Sequence, residues 1–123
     1  MASEKTISGT ITGTTTATNT AVVSIDTRGT ALGKAVIIIN NTGGTNTMYY
    51  QINGYPADMS GGTGNGGTTA TAGQYQAFKA QTSIATSTAV TSTSDVTNPV
   101  ACLQILVQNN SGATTFQIDY IAY

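Results

Sequence analysis

Apolar and polar residues alternate with a period of two along much of this chain, the spacing of side chains on the two faces of a pleated strand. Near the end, Phe116, Ile118, Tyr120 and Ala122 fall on one face, and Thr115, Gln117 and Asp119 on the other. Shortly before, Leu103, Ile105 and Val107 share a face opposite Cys102, Gln104 and Gln108. Residues 35–39, "AVIII", are apolar at consecutive positions, which predicts a central strand covered on both sides. Strands are expected near 5–12, 18–26, 34–41, 46–53, 72–80, 82–92, 100–109 and 114–122. Leu, Glu, Lys and Arg are scarce while Thr, Val, Ile, Tyr and Gly abound, so no helix competes with this reading. Short strands with regular turn signals make the chain all-β: an antiparallel β-sandwich of jelly-roll type with about eight strands.

One phrase occurs twice. "IIINNTGGTNTMYYQIN" (37–53) and "ILVQNNSGATTFQID" (105–119) each run from aliphatic residues through Asn-Asn, Thr or Ser and Gly into an aromatic-Gln-Ile run. Asn and Gly tolerate the positive φ of tight turns, so each copy is expected to form a β-hairpin that gives a central pair to one sheet. Two further stretches are low in complexity. "MSGGTGNGGTTATAGQ" (59–74) is too rich in glycine for a strand and is expected to be an exposed, mobile loop. The Thr-rich start leads to a division into an extended N-terminal arm, residues 1–16, reaching a neighbouring subunit, and a single β-sandwich domain, residues 17–123.

Charge is the most unusual feature of the composition. Only 7% of the 123 residues are charged and the net charge is −1, against roughly 25% charged in ordinary soluble domains. Lys5, Arg28, Lys34 and Lys79 are dispersed, so no electrostatic footprint for nucleic acid or anionic lipid is present. No apolar run approaches the roughly 18 residues of a membrane span, and "MASEKTISGT" has no signal-type apolar core; a chain made soluble and left intact is expected.

Candidate chemistry is sparse. The chain contains no His, which removes Ser-His and Cys-His nucleophile systems and His-based metal sites. Cys102, the single cysteine, lies in an apolar strand with no basic neighbour in sequence and reads as a buried inert thiol. Of the carboxylates Glu4, Asp26, Asp58, Asp95 and Asp119, only Asp26 with Asp119 was open to a glycosidase-like pairing. Calcium at Asp58 or Asp95 lacks the dense Asp spacing of an EF-hand loop, and "GGTGNGG" lacks the Lys-Ser/Thr sequel of a phosphate loop. Asn40-Asn41-Thr42 and Asn109-Asn110-Ser111 match glycosylation acceptors but read as turn chemistry. Catalytic, cofactor and metal residues are therefore assigned as none, and the chain is expected not to be an enzyme. Tyr49, Tyr50, Tyr55, Tyr75, Tyr120 and Tyr123 offer contact area for protein or sugar. Of the adjacent pair, Tyr49 and Tyr50, one must face in and one out.

The uncharged Thr/Gly/Asn-rich body, "VIIINNTGGTNTMYYQINGY", the glycine-rich middle and the closing "CLQILVQNNSGATTFQIDYIAY" together resemble small β-sandwich capsid decoration (cement) proteins of tailed viruses. The resemblance covers most of the chain and rests on overall style. It implies a non-enzymatic virion protein on the capsid exterior, made in the host cytoplasm and bound to the major capsid protein. It further implies self-association, most often as a trimer, with an N-terminal arm in the contacts, and no role for nucleic acid, membrane or cofactor. The alternative is a carbohydrate-binding or adhesin-type sandwich, including a tail or fibre component.

Overall fold

A computed structural model describes residues 6–27, 29–55, 76–91 and 102–123. Its elements are β1 (Ile7–Thr14), β2 (Thr20–Asp26), β3 (Ala35–Asn41), β4 (Met48–Tyr55), β5 (Gln76–Ile84), β6 (Thr88–Thr91), β7 (Cys102–Asn109) and β8 (Thr115–Ala122). The all-β expectation holds, and the strands fall close to where the alternation placed them. Two four-stranded antiparallel sheets form, sheet A in the order β1-β8-β3-β6 and sheet B in the order β2-β7-β4-β5.

The topology has a simple rule. β1 pairs with β8, β2 with β7, β3 with β6 and β4 with β5, each antiparallel. The chain is thus one long antiparallel ribbon folded over on itself, and the β3–β8 and β4–β7 ladders seal the fold. This is the jelly-roll arrangement of two packed sheets.

Inward-facing residues follow the alternation. Ile37, Ile39, Phe116 and Ile118 of sheet A meet Val23, Ile25, Met48, Ile52, Leu103 and Ile105 of sheet B in one apolar core. β1 contributes Ile7, Gly9, Ile11 and Gly13 to that face. The ring of Tyr120 lies over Gly9 and that of Phe116 over Gly13, each glycine sitting opposite its aromatic residue across the ladder. A cross-strand ring thus fills the space that a Cβ would occupy on β1.

Three expectations are corrected. The repeated phrases are not hairpins: β3 lies in sheet A and β4 in sheet B, while β7 lies in sheet B and β8 in sheet A. Each copy is an arch that crosses between sheets, and together the two copies supply all four central strands. The connections 42–47 and 110–114 are longer than the two-residue turns that favour hairpins. Neither shows positive φ, which among the described residues occurs at Gly29, Gly33 and Ser87. An arch sets the apolar faces of its two strands against each other across the core, whereas a hairpin would lay them side by side in one sheet.

Second, β3 is central but covered on one side only, with Ile38 39% exposed. Burial on both faces falls in sheet B instead, over residues 102–107 of β7, Gln104 and Leu106 included, and over residues 52–55 of β4. Gln104 accepts a hydrogen bond from the buried Tyr55 hydroxyl at 2.8 Å, which satisfies a polar group that burial would otherwise penalise. Third, residues 7–14 of the segment read as an arm are the edge strand β1, paired along its length with β8 of the same chain. The glycine-rich loop lies outside the described residues.

Candidate interaction face

The four crossings β1–β2, β3–β4, β5–β6 and β7–β8 occur at one end of the sandwich, and a buried polar cluster closes it. Asn41 is fully buried at the end of β3. Its side-chain amide donates to the carbonyls of Asn46 (2.9 Å) and Ile84 (3.1 Å). Its Oδ1 accepts from the Gly43 N–H (3.2 Å) and the Thr114 hydroxyl (2.8 Å). All the hydrogen-bonding capacity of this asparagine is used. Thr15, also buried, receives the Thr114 N–H on its hydroxyl (3.0 Å) and donates that hydroxyl to Asn109 Oδ1. The repeated Asn residues therefore hold the two arches to each other and to the β1–β2 crossing. A depression of about 240 Å3 above them, lined among others by Thr14, Thr45, Asn46 and Thr114, carries no charge and no aromatic ring.

The outer face of sheet A is different. Register places Val36 beside Ile121, Ile38 beside Asp119, and Asn40 beside Gln117. Across the other ladder Ser8 lies beside Ile121, Thr10 beside Asp119 and Thr12 beside Gln117. Ile38 and Ile121 are 39% and 41% exposed, and with Val36 they form an apolar strip on the surface. A shallow depression of about 160 Å3 is lined by Val36, Ile38, Asp119, Tyr120 and Ile121.

Asp119 is the one acidic group on that strip among the described residues. The Thr10 hydroxyl donates to its Oδ1 (2.6 Å) and the Gln117 amide to its Oδ2 (3.1 Å). These two hydrogen bonds hold its carboxyl below the ordinary carboxylate value, with only weak opposition from desolvation. Because the folded-state pKa is depressed, the bonds stabilise the fold above the unfolded-state pKa and the contribution fades as pH falls through the folded-state value. Thr10→Val is expected to raise the Asp119 titration midpoint in a carboxyl-carbon NMR titration. An unchanged midpoint would detach Thr10 from Asp119.

The carboxylates weighed as a catalytic pair are not brought together. Asp26 lies on β2 and Asp119 on β8, in different sheets and each alternating with core residues, so the packed core separates them. Glu4, Asp58, Asp95 and Tyr75 lie outside the described residues. No three of His, Cys, Asp and Glu come together among the described residues in a way that would hold a metal ion. Cys102 is buried on β7. Of the adjacent tyrosines Tyr50 faces the core and Tyr49 is half-buried, its hydroxyl donating to Asn110 Oδ1 at 3.1 Å. Sequence reading passed over Ile38 and Ile121. The signal was there: within "VIII" the middle isoleucine must point opposite its neighbours, and Ile121 is out of phase with Tyr120 and Ala122.

No family model and no curated protein matches the chain. Among solved structures it is similar to the crystal structure of PirA, with 16% identity over 96% of this chain and 94% of that one and a TM-score of 0.45. It is also similar to the structure of infectious bursal disease virus Gt strain, with 9% identity over 97% of this chain and a TM-score of 0.39. It spans 33% of the length of that viral chain.

Proposed function

We propose that this chain is a non-enzymatic structural subunit that decorates the exterior of a viral capsid and reinforces it. The observation that carries this reading is the outer face of sheet A. It presents Val36, Ile38 and Ile121 in a field of hydroxyl and amide side chains, with one carboxylate whose oxygens are already hydrogen-bonded. Laying such a face on another protein removes apolar area from water at about 25 cal/mol per Å2. Few ions need be stripped of water, so little of that gain is lost to desolvation. Catalysis would require reactive groups converging in a cleft, and Asp26 and Asp119 diverge instead.

The test is co-sedimentation with shells assembled from the major capsid protein of the genome that encodes the chain. Ile38→Lys with Ile121→Lys is expected to weaken binding at least about 100-fold, since it buries two ammonium groups without partners. Both positions are exposed, so thermal melting should shift little. Undiminished shell binding by this double variant would overturn the assignment of the face. Glycan binding without shells, lost on Tyr49→Ala, would favour the carbohydrate-binding alternative.

A further inference from the structure

An edge strand presents main-chain N–H and C=O groups that another strand can pair with, and proteins usually blunt such edges. Among the described residues two of the four sheet edges, β2 and β5, are blunted. β6 is described over Thr88–Thr91 only. β2 is irregular between Ala21 and Val23 and ends in Asp26. β5 breaks register twice against β4 and carries Lys79. β1 has none of these features: it is eight residues long, regular from Ile7 to Thr14, and free of charge and proline.

The direction of its main-chain groups follows from the end of the ladder. The Thr15 N–H donates to the Thr114 carbonyl, so Thr15 faces β8. Successive residues of a strand point these groups to opposite sides. Ile7, Gly9, Ile11 and Gly13 therefore face β8, while Ser8, Thr10, Thr12 and Thr14 point their N–H and C=O away from it. Sheet A has no strand on that side among the described residues.

The sequence of this edge is nearly its own mirror, with Ser8 matched by Thr14. Outward from Ile11 it reads Thr10 and Thr12, Gly9 and Gly13, then Ser8 and Thr14. We propose that two copies of this chain join through β1, antiparallel about a two-fold axis at Ile11, making one continuous eight-stranded sheet from the two A sheets. In this register Ser8 of one copy lies opposite Thr14 of the other, and Thr10 opposite Thr12. Every outward-pointing N–H and C=O of the four residues then gains a partner. Hydroxyl meets hydroxyl on the outer face, a favourable cross-strand pairing. On the inner face Ile11 meets Ile11, and Gly9 meets Gly13, bringing the Tyr120 ring of one copy towards the Phe116 ring of the other. The two Asp119 carboxylates stand three strand spacings apart, roughly 14 Å, beyond the screening length of about 8 Å at physiological salt.

This contact does not depend on binding a shell, and its even stoichiometry differs from the trimer that the family resemblance implies. Sedimentation equilibrium of the full chain, without shells, is expected to give twice the monomer mass in low and in high salt. Thr12→Pro removes an N–H that the chain's own ladder does not use, so the fold should persist with a wild-type far-ultraviolet spectrum. Symmetry applies that loss twice, and association should weaken about 100-fold. Thr12→Lys should act in the same direction through charge at the joint. Ile11→Cys should cross-link two copies under oxidation, because it stands directly opposite itself. A monomer or a trimer at all concentrations, unchanged association in both Thr12 variants, or a dimer that Ile11→Cys does not cross-link would overturn the proposal.

Discussion

Asn41→Asp is expected to destabilise the fold by about 4 kcal/mol, read from the denaturant midpoint at neutral pH. The substitution keeps the shape and removes the amide that donates to the carbonyls of Asn46 and Ile84. It leaves a carboxylate facing two carbonyl oxygens in a fully buried site, and each buried acceptor without a donor costs roughly 1–3 kcal/mol. Desolvating the new charge adds to this, so part of the loss should be recovered at low pH, where the carboxyl is protonated. Thr114→Val removes only one hydroxyl bond to the same asparagine and should cost about 1–2 kcal/mol. If Asn41→Asp were no worse than Thr114→Val, the cluster would not be what closes this end of the sandwich.

The neighbouring glycines separate two explanations for the same sequence feature. Turn chemistry expects Gly43, Gly44 and Gly112 to be needed for positive φ, yet none of them adopts it. Close approach makes a different demand. A Cβ on Gly43 would lie 1.9 Å from Thr114 Oγ1, and one on Gly112 would lie 2.8 Å from Asn46 Nδ2, while one on Gly44 meets nothing within 4 Å. Gly43→Val is therefore expected to cost about 3 kcal/mol through overpacking and displacement of Thr114 from Asn41. Gly44→Val should stay within about 0.5 kcal/mol of the parent. Gly43→Ala should be milder in a Thr114→Ala background than alone, a coupling that a double-mutant cycle by thermal or chemical melting measures. Equal losses at Gly43 and Gly44 would return the explanation to backbone conformation.

Strand positions were legible because period-two alternation is local and each sheet has a buried inner face; β3 and β8 were placed within a residue or two. Partner choice was not legible, because hydrogen-bonding ladders leave no trace in one strand's own pattern. The phrases around Asn41 and Asn110 look like hairpins when read alone, and only the register of β3 against β8 and β4 against β7 reveals arches. The same limit applies to the outer faces. In "CLQILVQN" the consecutive Ile105, Leu106 and Val107 carry the sign of a strand covered on both sides, but Gln104 reads as a solvent-facing position and is buried only through Tyr55, remote in sequence. At the candidate face, Asp119 was considered from the sequence only as half of a carboxylate pair and set aside, and its partner Thr10 came from the low-complexity start, where local pattern carries least information.

The nested pairing also bears on how the sheets assemble. β8 is inserted between β1 and β3, so sheet A cannot join β1 to its β3–β6 pair until residues 115–122 have been synthesised and have entered. Contacts so distant along the chain ordinarily make folding slow, because a large loop must close before they form. A ribbon in which β4 meets β5 first, followed by β3 with β6, β2 with β7 and β1 with β8, closes only a short additional loop at each step. Assembly from the middle of the chain outwards turns the longest-range pair into the last tooth of a zipper, and β1 waits unpaired throughout.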